Sequence, residues 1–158
     1  MPTLRFTTRI EGSAHDIFAT IVDFSKYHLW LSRSKSFGTI SEISPDPVSL
    51  GTTYVDAGPS GTRRGTVTEF EPPATIAFQQ PMNLKKSVLP GRIDIHIRYS
   101  LEPAGGGTDV IRDLTFEVHG PLRIARPLIV SAFRHENERV LSALKTKIET
   151  PAPNANPP

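Results

Sequence analysis

From Phe37 to His119 the chain repeats one pattern, in which apolar residues alternate with polar ones. Alternation with a period of two predicts β-strands with one buried face. The turns between the candidate strands contain Gly or Pro, which supply the fixed or positive φ that hairpins need. Many consecutive strands of this kind predict an antiparallel sheet. The candidate strands are residues 37–43, 52–57, 64–70, 75–80, 92–101 and 109–119.

Another strand and several helices flank this stretch. A first alternating strand at 4–10 leads into Ser13, which with Asp16 three residues later is typical of a helix start. Residues 24–31 predict a second short helix or turn. The long last helix is expected to kink or to begin at Pro127, since proline lacks the backbone N–H that a helix interior needs. Its apolar stripe consists of Val130, Phe133, Val140, Leu141, Leu144 and Ile148.

The order of these elements predicts an α+β domain. Only the last helix is long enough to cover the apolar face of a curved antiparallel sheet of about seven strands. A sheet wrapped around a helix in this way tends to enclose a cavity. We expect a single domain over residues 1–149 and a disordered Pro-rich tail over 150–158, which has no apolar group larger than Ala or Pro.

Composition excludes several classes of protein. The 158 residues include no Cys, which excludes a disulfide scaffold, an iron–sulfur cluster and a thiol nucleophile. The formal net charge of +2 is too small to indicate a nucleic-acid partner. No stretch approaches the roughly eighteen apolar residues of a membrane span, and the N-terminus has no apolar signal core. We therefore expect a cytoplasmic protein that does not insert stably into membranes.

Short motifs in a fixed order carry a family resemblance. The motifs are IEGSAHDIF (10–18) followed by VDFSKYHLW (22–30), LGTTY (50–54), TVTEFEPP (66–73), YSLEPAGGGT (99–108) and LSALK (141–145). With these motifs the chain resembles the START-like, or SRPBCC, superfamily, and in particular its polyketide cyclase/dehydrase-type members. The resemblance covers residues 4–149.

The resemblance implies the helix-grip fold, in which a curved sheet wraps around the C-terminal helix and leaves a deep apolar pocket between them. It implies less about chemistry. The superfamily includes lipid carriers, hormone receptors, aromatase/cyclases and co-chaperones, so the fold alone does not determine the function.

Polar residues on apolar faces are the candidates for ligand binding. Arg112 is in phase with Val110 and Leu114, so its guanidinium is predicted to face the cavity and bind a carboxylate, a phenolate or an enolate. Tyr99 shares the inward face of the preceding strand. Asn137 lies in the stripe of the last helix, and a buried amide requires hydrogen-bond partners. The alternatives are an outward or ion-paired Arg112, a core position for Tyr99 and a marginal one for Asn137.

Further residues are expected around the cavity, although core packing alone explains two of them, Trp30 and Tyr54. No catalytic residue is assigned. The five histidines show no metal-ligand spacing, so neither a metal nor a cofactor is predicted. The Gly-rich run at 104–107 lies between two long strands, which favours a hairpin turn over a phosphate-binding loop. The further cavity residues are Trp30, Tyr54, Ile97, Phe116 and Phe133.

The segment 80–91 is long for a hairpin connection and carries sizeable apolar residues between prolines. We expect it to act as a lid over the pocket or as a contact for a second subunit. The chain is accordingly expected to be a monomer or a homodimer. The basic pairs Arg63-Arg64 and Lys85-Lys86 are predicted to be solvated surface.

Three functions fit the sequence. The leading hypothesis is a binder of a small apolar or aromatic molecule, with one or two polar groups setting its orientation. The alternatives are a polyketide aromatase/cyclase or dehydrase that needs no metal or cofactor, and a protein-interaction module. An inward Arg112–Tyr99 pair would favour the enzyme, a wholly apolar cavity a carrier, and a filled core the interaction module. Whether a reaction is catalysed stays open.

Overall fold

The computed structural model describes residues 3–34, 37–59, 61–84 and 88–150. The predicted tail beyond Thr150 and the Lys85-Lys86 pair lie outside the described residues. The elements are β1 (Thr3–Ile10), α1 (Ala14–Val22), a 3₁₀ helix (Phe24–Leu29), β2 (Thr39–Ser44), β3 (Thr53–Gly58), β4 (Gly61–Glu71), β5 (Thr75–Gln79), β6 (Met82–Leu84), β7 (Gly91–Ala104), β8 (Gly107–His119), a second 3₁₀ helix (Gly120–Ala125) and α2 (Arg126–Glu149).

The described strands form one antiparallel sheet in the order β1-β8-β7-β5-β4-β3-β2. The short strand β6 is off this path and pairs with β4 and β7. The long pair β7 and β8 lies beside the first strand at one edge of the sheet. The α+β class and the sheet wrapped around a long C-terminal helix are therefore confirmed, with one strand more than the seven expected.

The start of α1 follows the predicted capping pattern. The hydroxyl of Ser13 accepts a hydrogen bond from the backbone N–H of Asp16 at 3.1 Å. An N-cap of this kind stabilises a helix by about 1 kcal/mol. The helix buries its apolar side, and the chain then continues into the first 3₁₀ helix, whose Phe24 is also buried. Helix α1 contacts β7 and α2, and the 3₁₀ helix contacts β2.

The connection between β7 and β8 is a two-residue hairpin turn. Ala104 lies opposite Gly107, and Gly105 and Gly106 have φ values of 55° and 83°. Positive φ at both central positions is characteristic of a type I′ turn, whose twist matches that of the flanking strands. The Gly-rich run therefore forms the hairpin that the sequence predicts.

The sheet is bent, and α2 packs on its apolar face. A register shift between Val67 and Glu69 marks a bulge in β4, and bulges increase the local bend of a strand. Val140, Leu141 and Leu144 are buried on α2. The helix begins at Arg126, so Pro127 lies in its first turn, where a missing N–H costs no hydrogen bond.

Part of the segment 80–91 belongs to the sheet. Met82 pairs with Arg63 of β4 and with Ile93 of β7, and its side chain is buried. This corrects the expectation of a long free loop, because three strand residues between prolines are too few to show a period. Residues 85–87 lie outside the described part, and Val88 is fully exposed.

Among the described residues, no helix combines the length and the apolar character that crossing a bilayer requires.

Candidate functional site

A cavity of about 90 Å³ lies between the bent sheet and α2. Most of its wall is apolar and aromatic, with side chains from the first 3₁₀ helix, the central strands and α2. These include Phe24, Phe78, Ile97, Leu114 and Phe133. Polar groups enter this wall at two places, which differ in how their charges are partnered.

At the first place, Arg112 projects from β8 into the interior. Its position on the inward face follows from its phase with the buried Val110 and Leu114. Arg112 is only 8% exposed. Its Nε donates to Oδ1 of Asn137 at 2.6 Å, and its Nη1 donates to the hydroxyl oxygen of Tyr99. A neutral amide and a neutral phenol therefore hold this guanidinium.

The ring of Tyr99 also faces the cation. Tyr99 lies directly opposite Arg112 across the β7–β8 pair, and the guanidinium carbon is 4.9 Å from the ring centroid. A cation over an aromatic face is stabilised by about 0.5 to 2 kcal/mol, more when the pair is desolvated. Tyr99 thus contacts the guanidinium in two ways, through its ring and through its hydroxyl, which accepts a hydrogen bond.

Asn137 has a fixed orientation. Its Nδ2 donates to the backbone oxygen of Phe133 at 2.7 Å, one turn earlier on α2, so its Oδ1 is turned towards Arg112. The amide of Asn137 therefore links the guanidinium of Arg112 to the backbone of α2. It also explains how a polar residue is accommodated in the apolar stripe of α2.

Within the described part of the chain, no carboxylate lies within ion-pair distance of Arg112, and its Nη2 has no hydrogen-bond partner. A buried cation without a counter-charge is costly, since the protein interior does not replace the lost hydration. A ligand anion, or an oxygen that gains negative charge during a reaction, would supply the missing partner.

At the second place, Arg63 of β4 and Asp56 of β3 form an ion pair inside the cavity wall. The two residues are opposite each other in the sheet, and Nη2 of Arg63 is 2.9 Å from Oδ2 of Asp56. Asp56 is 7% exposed. This corrects the expectation that Arg63 is solvated surface, since its side chain points to the inner face of β4 while that of Arg64 is exposed.

The two oxygens of Asp56 differ. Oδ2 accepts from Arg63, whereas Oδ1 is buried and accepts no hydrogen bond from the described residues. Burial raises the pKa of Asp56 above its ordinary value, although the charge and hydrogen bond of Arg63 oppose this and the charge of Arg112 opposes it further. The carboxyl therefore titrates at a higher pH than an exposed aspartate.

Glu136 of α2 is a second carboxylate in the wall, and both its oxygens have partners. Oε1 accepts from Nη2 of Arg139 at 2.7 Å, Oε2 accepts from Nε of Arg139 at 3.1 Å, and the hydroxyl of Ser34 lies near both. Burial works to raise the pKa of Glu136, but the hydrogen bonds and charge of Arg139, with Ser34, hold it below its ordinary value. This carboxylate is satisfied by the protein.

Tyr54 and Gln80 complete the polar wall beside Asp56. Nε2 of Gln80 donates to the Tyr54 hydroxyl at 2.6 Å, and burial raises the pKa of Tyr54. The Tyr54 ring lies directly over Gly65, where a Cβ atom would come within 2.1 Å of the ring carbon Cζ. Only glycine at this position leaves room for the ring, so Gly65 determines where Tyr54 lies.

Most of the residues predicted from the sequence reach the cavity. Tyr99 does not line the cavity but contacts the guanidinium of Arg112, which does. Phe116 is buried and packs edge-on against Phe133, with ring centroids 5.1 Å apart. Trp30 is half-buried and packs against Tyr27. The predicted residues that line the cavity are Tyr54, Ile97, Arg112, Phe133 and Asn137.

Several polar residues of the wall escaped the sequence prediction. Asp56 is in phase with Tyr54 on β3, and Arg63 is in phase with the buried Gly65 on β4. The same rule that selects Arg112, a polar residue on an inward face, would have found both. Gln80 follows Phe78 at the same spacing. Glu136 gave no such signal, because it lies at the margin of the α2 stripe.

A separate group of ligand-type side chains lies where β7 and β8 pair, away from the cavity. Asp94, Glu117 and His119 bring their oxygen and nitrogen atoms within 4.8 Å of one another. Nε2 of His119 is 2.8 Å from Oδ2 of Asp94, and Nη2 of Arg92 is 2.9 Å from the same oxygen. The histidine therefore has an acidic partner that sequence spacing did not predict. The nearby Arg92 cation makes an ion-pair network the simpler description.

Comparison with known proteins identifies the architecture. The model of a family described as polyketide cyclase/dehydrase and lipid transport matches residues 1–149. No curated protein matches the chain. A START superfamily protein from Mycobacterium smegmatis is 19% identical, with a TM-score of 0.71, and the match covers 93% of this chain and 97% of that one.

Two further solved structures share the fold. The di-domain aromatase/cyclase BexL from the BE-7585A biosynthetic pathway is 15% identical, with a TM-score of 0.72 over 96% of this chain and 51% of that one. The Aha1 dimer from Colwellia psychrerythraea is 18% identical, with a TM-score of 0.62 over 95% of this chain and 98% of that one. Identities this low establish a common fold and no common function.

Proposed function

The chain belongs to the polyketide cyclase/dehydrase and lipid transport family, and on that premise we propose that its cavity binds a small, largely apolar or aromatic molecule with an anionic or oxyanion-forming end. The apolar body of the ligand would be buried among the aromatic and aliphatic wall residues. Burial of this kind contributes about 25 cal/mol for each Å² of apolar surface. The polar end would be oriented by Arg112.

The observation that carries the proposal is the partnering of Arg112. This guanidinium is buried at the cavity wall and is held by Asn137 and Tyr99, which carry no negative charge. A structural arginine in a protein interior is usually paired with a carboxylate. A ligand carboxylate, phenolate or enolate on Nη2 would provide that partner.

The size of the cavity supports a compact ligand. A cavity of roughly 150 Å³ accommodates benzene, and the cavity here is about 90 Å³. A short chain or part of a ring is therefore the scale that the cavity encloses as it stands, and a whole ring or a larger molecule requires α2 to move away from the sheet.

An enzymatic role is the second candidate, and the Arg112–Tyr99 pair favours it. Arg112, whose Nη1 is held by the Tyr99 hydroxyl, can stabilise an enolate as negative charge develops on a carbonyl oxygen. Holding a flexible keto chain in a shaped cavity adds a proximity effect. A cyclase or dehydrase of this type would need no metal or cofactor. The presence of a cavity argues against the interaction-module alternative, which expects a filled core.

Location, oligomeric state and domain limits stay predictions. A cytoplasmic protein, a monomer or homodimer, and a single domain over residues 1–149 are consistent with the proposal. A lid role for segment 80–91 is likewise a prediction. Residues 85–87 of this segment lie outside the described part of the chain.

Native mass spectrometry of the purified protein tests the proposal, followed by denaturing extraction of whatever is bound. We expect a small molecule with an acidic or enolisable group, and we expect its occupancy to fall in Arg112→Met. A bound molecule that lacks such a group, or one that the variant retains at equal occupancy, would count against the role of Arg112. Arg64→Met, on the exposed face of β4, is the matched control.

A further inference from the structure

The cavity wall contains a buried acceptor that none of the described residues satisfies. Oδ1 of Asp56 is buried, and no described residue donates a hydrogen bond to it, while Oδ2 is engaged by Arg63 at 2.9 Å. Buried polar atoms in folded proteins nearly always have a partner, so an exception needs an explanation. Asp56 lines the cavity, so a donor on a molecule bound there, with a small shift of the carboxyl group, would supply the missing partner.

The contrast with Glu136 shows that the feature is specific to Asp56. Both carboxylates line the same cavity, but each oxygen of Glu136 accepts from Arg139. The protein therefore has the means to satisfy a carboxylate in this wall and does so on α2. On β3 one oxygen of Asp56 has no donor in the part of the chain that the structure describes.

Asp56 and Arg112 lie at different parts of the cavity. They are on β3 and β8, which the strands β4, β5 and β7 separate in the sheet order. The bend of the sheet brings both residues to one cavity, and the charge of Arg112 is close enough to lower the pKa of Asp56. A ligand in this cavity would therefore face both groups.

We infer that Asp56 forms a second polar subsite, so that the ligand is a small acid which carries a hydroxyl or amine donor away from its acidic group. The acidic group is bound at Arg112 and the donor is bound at Oδ1 of Asp56. The inference rests on the proposed function and narrows its ligand class. A plain fatty or aromatic acid would satisfy Arg112 but would leave Oδ1 without a donor.

The test is a calorimetric titration with matched aromatic acids: benzoate, 3- and 4-hydroxybenzoate, and 3- and 4-methoxybenzoate. The methoxy acids keep the added oxygen but lack its proton. In the wild-type protein we expect one hydroxybenzoate to bind about tenfold or more tightly than benzoate and than its methoxy analogue, as is typical of a hydrogen bond to a charged acceptor. In Asp56→Asn we expect most of this advantage to be lost.

Matched variants separate the subsite from general damage to the cavity. Glu136→Gln changes a carboxylate in the same wall that already has its partners, so the hydroxyl advantage should remain. If Asp56→Asn does not fold, the double variant Asp56→Leu with Arg63→Met replaces the buried ion pair by apolar groups, an exchange that proteins often tolerate. That variant should bind benzoate and the hydroxybenzoates alike.

The possible failures are distinguishable. Equal affinity of the wild type for benzoate and both hydroxybenzoates, or an advantage that survives in Asp56→Asn, overturns the subsite and leaves the role of Arg112 standing. Benzoate affinity that does not change in Arg112→Met overturns the proposed function at its anionic end. Absence of binding for every acid in the set overturns both.

Discussion

Two arginines enter one cavity from the same sheet and meet opposite surroundings. Arg63 lies 2.9 Å from the carboxylate of Asp56, whereas Arg112 is held by the amide of Asn137 and the phenol of Tyr99. The charge of Arg63 is balanced within the protein. The charge of Arg112 is positioned but is not neutralised by any carboxylate of the described residues, which is the arrangement expected of a group that receives an anion. The position of an arginine on an inward face therefore shows that its side chain is interior. Its partners show whether the guanidinium is part of an ion pair within the protein or is able to bind a ligand anion.

The largest effect is expected at the balanced arginine. Arg63→Met leaves Asp56 buried without its cation, and breaking a buried ion pair from one side typically costs about 3 kcal/mol or more. The free energy of unfolding from urea denaturation measures this loss. Arg64→Met on the exposed face of β4 should change it by less than about 0.5 kcal/mol. Equal losses in the two variants would show that the Arg63–Asp56 pair contributes nothing in the interior.

Asn137→Asp would give the Arg112 guanidinium a carboxylate partner within the protein. The new carboxylate would accept from Nε of Arg112, so the guanidinium would have an internal counter-ion. We expect the affinity for benzoate to fall by about tenfold, the equivalent of roughly 1.4 kcal/mol. Titration calorimetry gives the comparison, with Asn137→Ser as a neutral control. An affinity that rises or stays unchanged in the aspartate variant contradicts the account.

The stability of Arg112→Met gives a smaller effect. This change removes a buried, unneutralised charge, which favours the folded state, but it also leaves the Tyr99 hydroxyl and the Asn137 oxygen without their donor. Because these effects oppose each other, we expect the free energy of unfolding to change by no more than about 1 kcal/mol. A loss as large as that of Arg63→Met would indicate that Arg112 serves mainly to hold the core together.

The pH dependence of stability should have opposite signs for the two carboxylates. Burial raises the pKa of Asp56 above 3.8 in the folded state, so its stabilising contribution is complete below that value and is lost as the pH rises through the raised pKa. The pKa of Glu136 is lowered below 4.5, so its contribution is present above that value and is lost as the pH falls through the lowered pKa.

Urea denaturation across the acid range measures both slopes. In the wild type the free energy of unfolding decreases through Asp56 as the pH rises and through Glu136 as the pH falls. Asp56→Asn should abolish the first decrease, and Glu136→Gln should abolish the second. These are expected to be the smallest of the four effects. Two variants with the same change of slope would contradict the different partnering of the two groups.

The fold was largely predictable because its signals are periodic. The alternation in β7 and β8 extends over many residues, and the Ser13 cap and the turn glycines have unambiguous stereochemistry. The three-residue strand β6 was not predictable, since no period can be recognised over so short a stretch. Trp30 directly follows the first 3₁₀ helix as its C-cap, where helical phase does not determine which side is buried.

The site was predictable only in part. Arg112 and Asn137 interrupt long apolar stripes and so are recognisable as polar residues in the interior. Asp56 lies in a strand of six residues, and Arg63 is next to Arg64, so both resemble ordinary surface charges in the sequence. Their pairing depends on the register between β3 and β4, which a single sequence does not specify.

A calorimetric comparison of benzoate with benzamide tests most directly whether the Arg112 guanidinium binds a ligand anion. The two molecules have nearly the same shape and differ in charge. We expect saturable binding of benzoate by the wild-type protein, much weaker binding of benzamide, and loss of that difference in Arg112→Met. Equal affinity for the two compounds in the wild type, or a preference for benzoate that persists without Arg112, would contradict this role of Arg112.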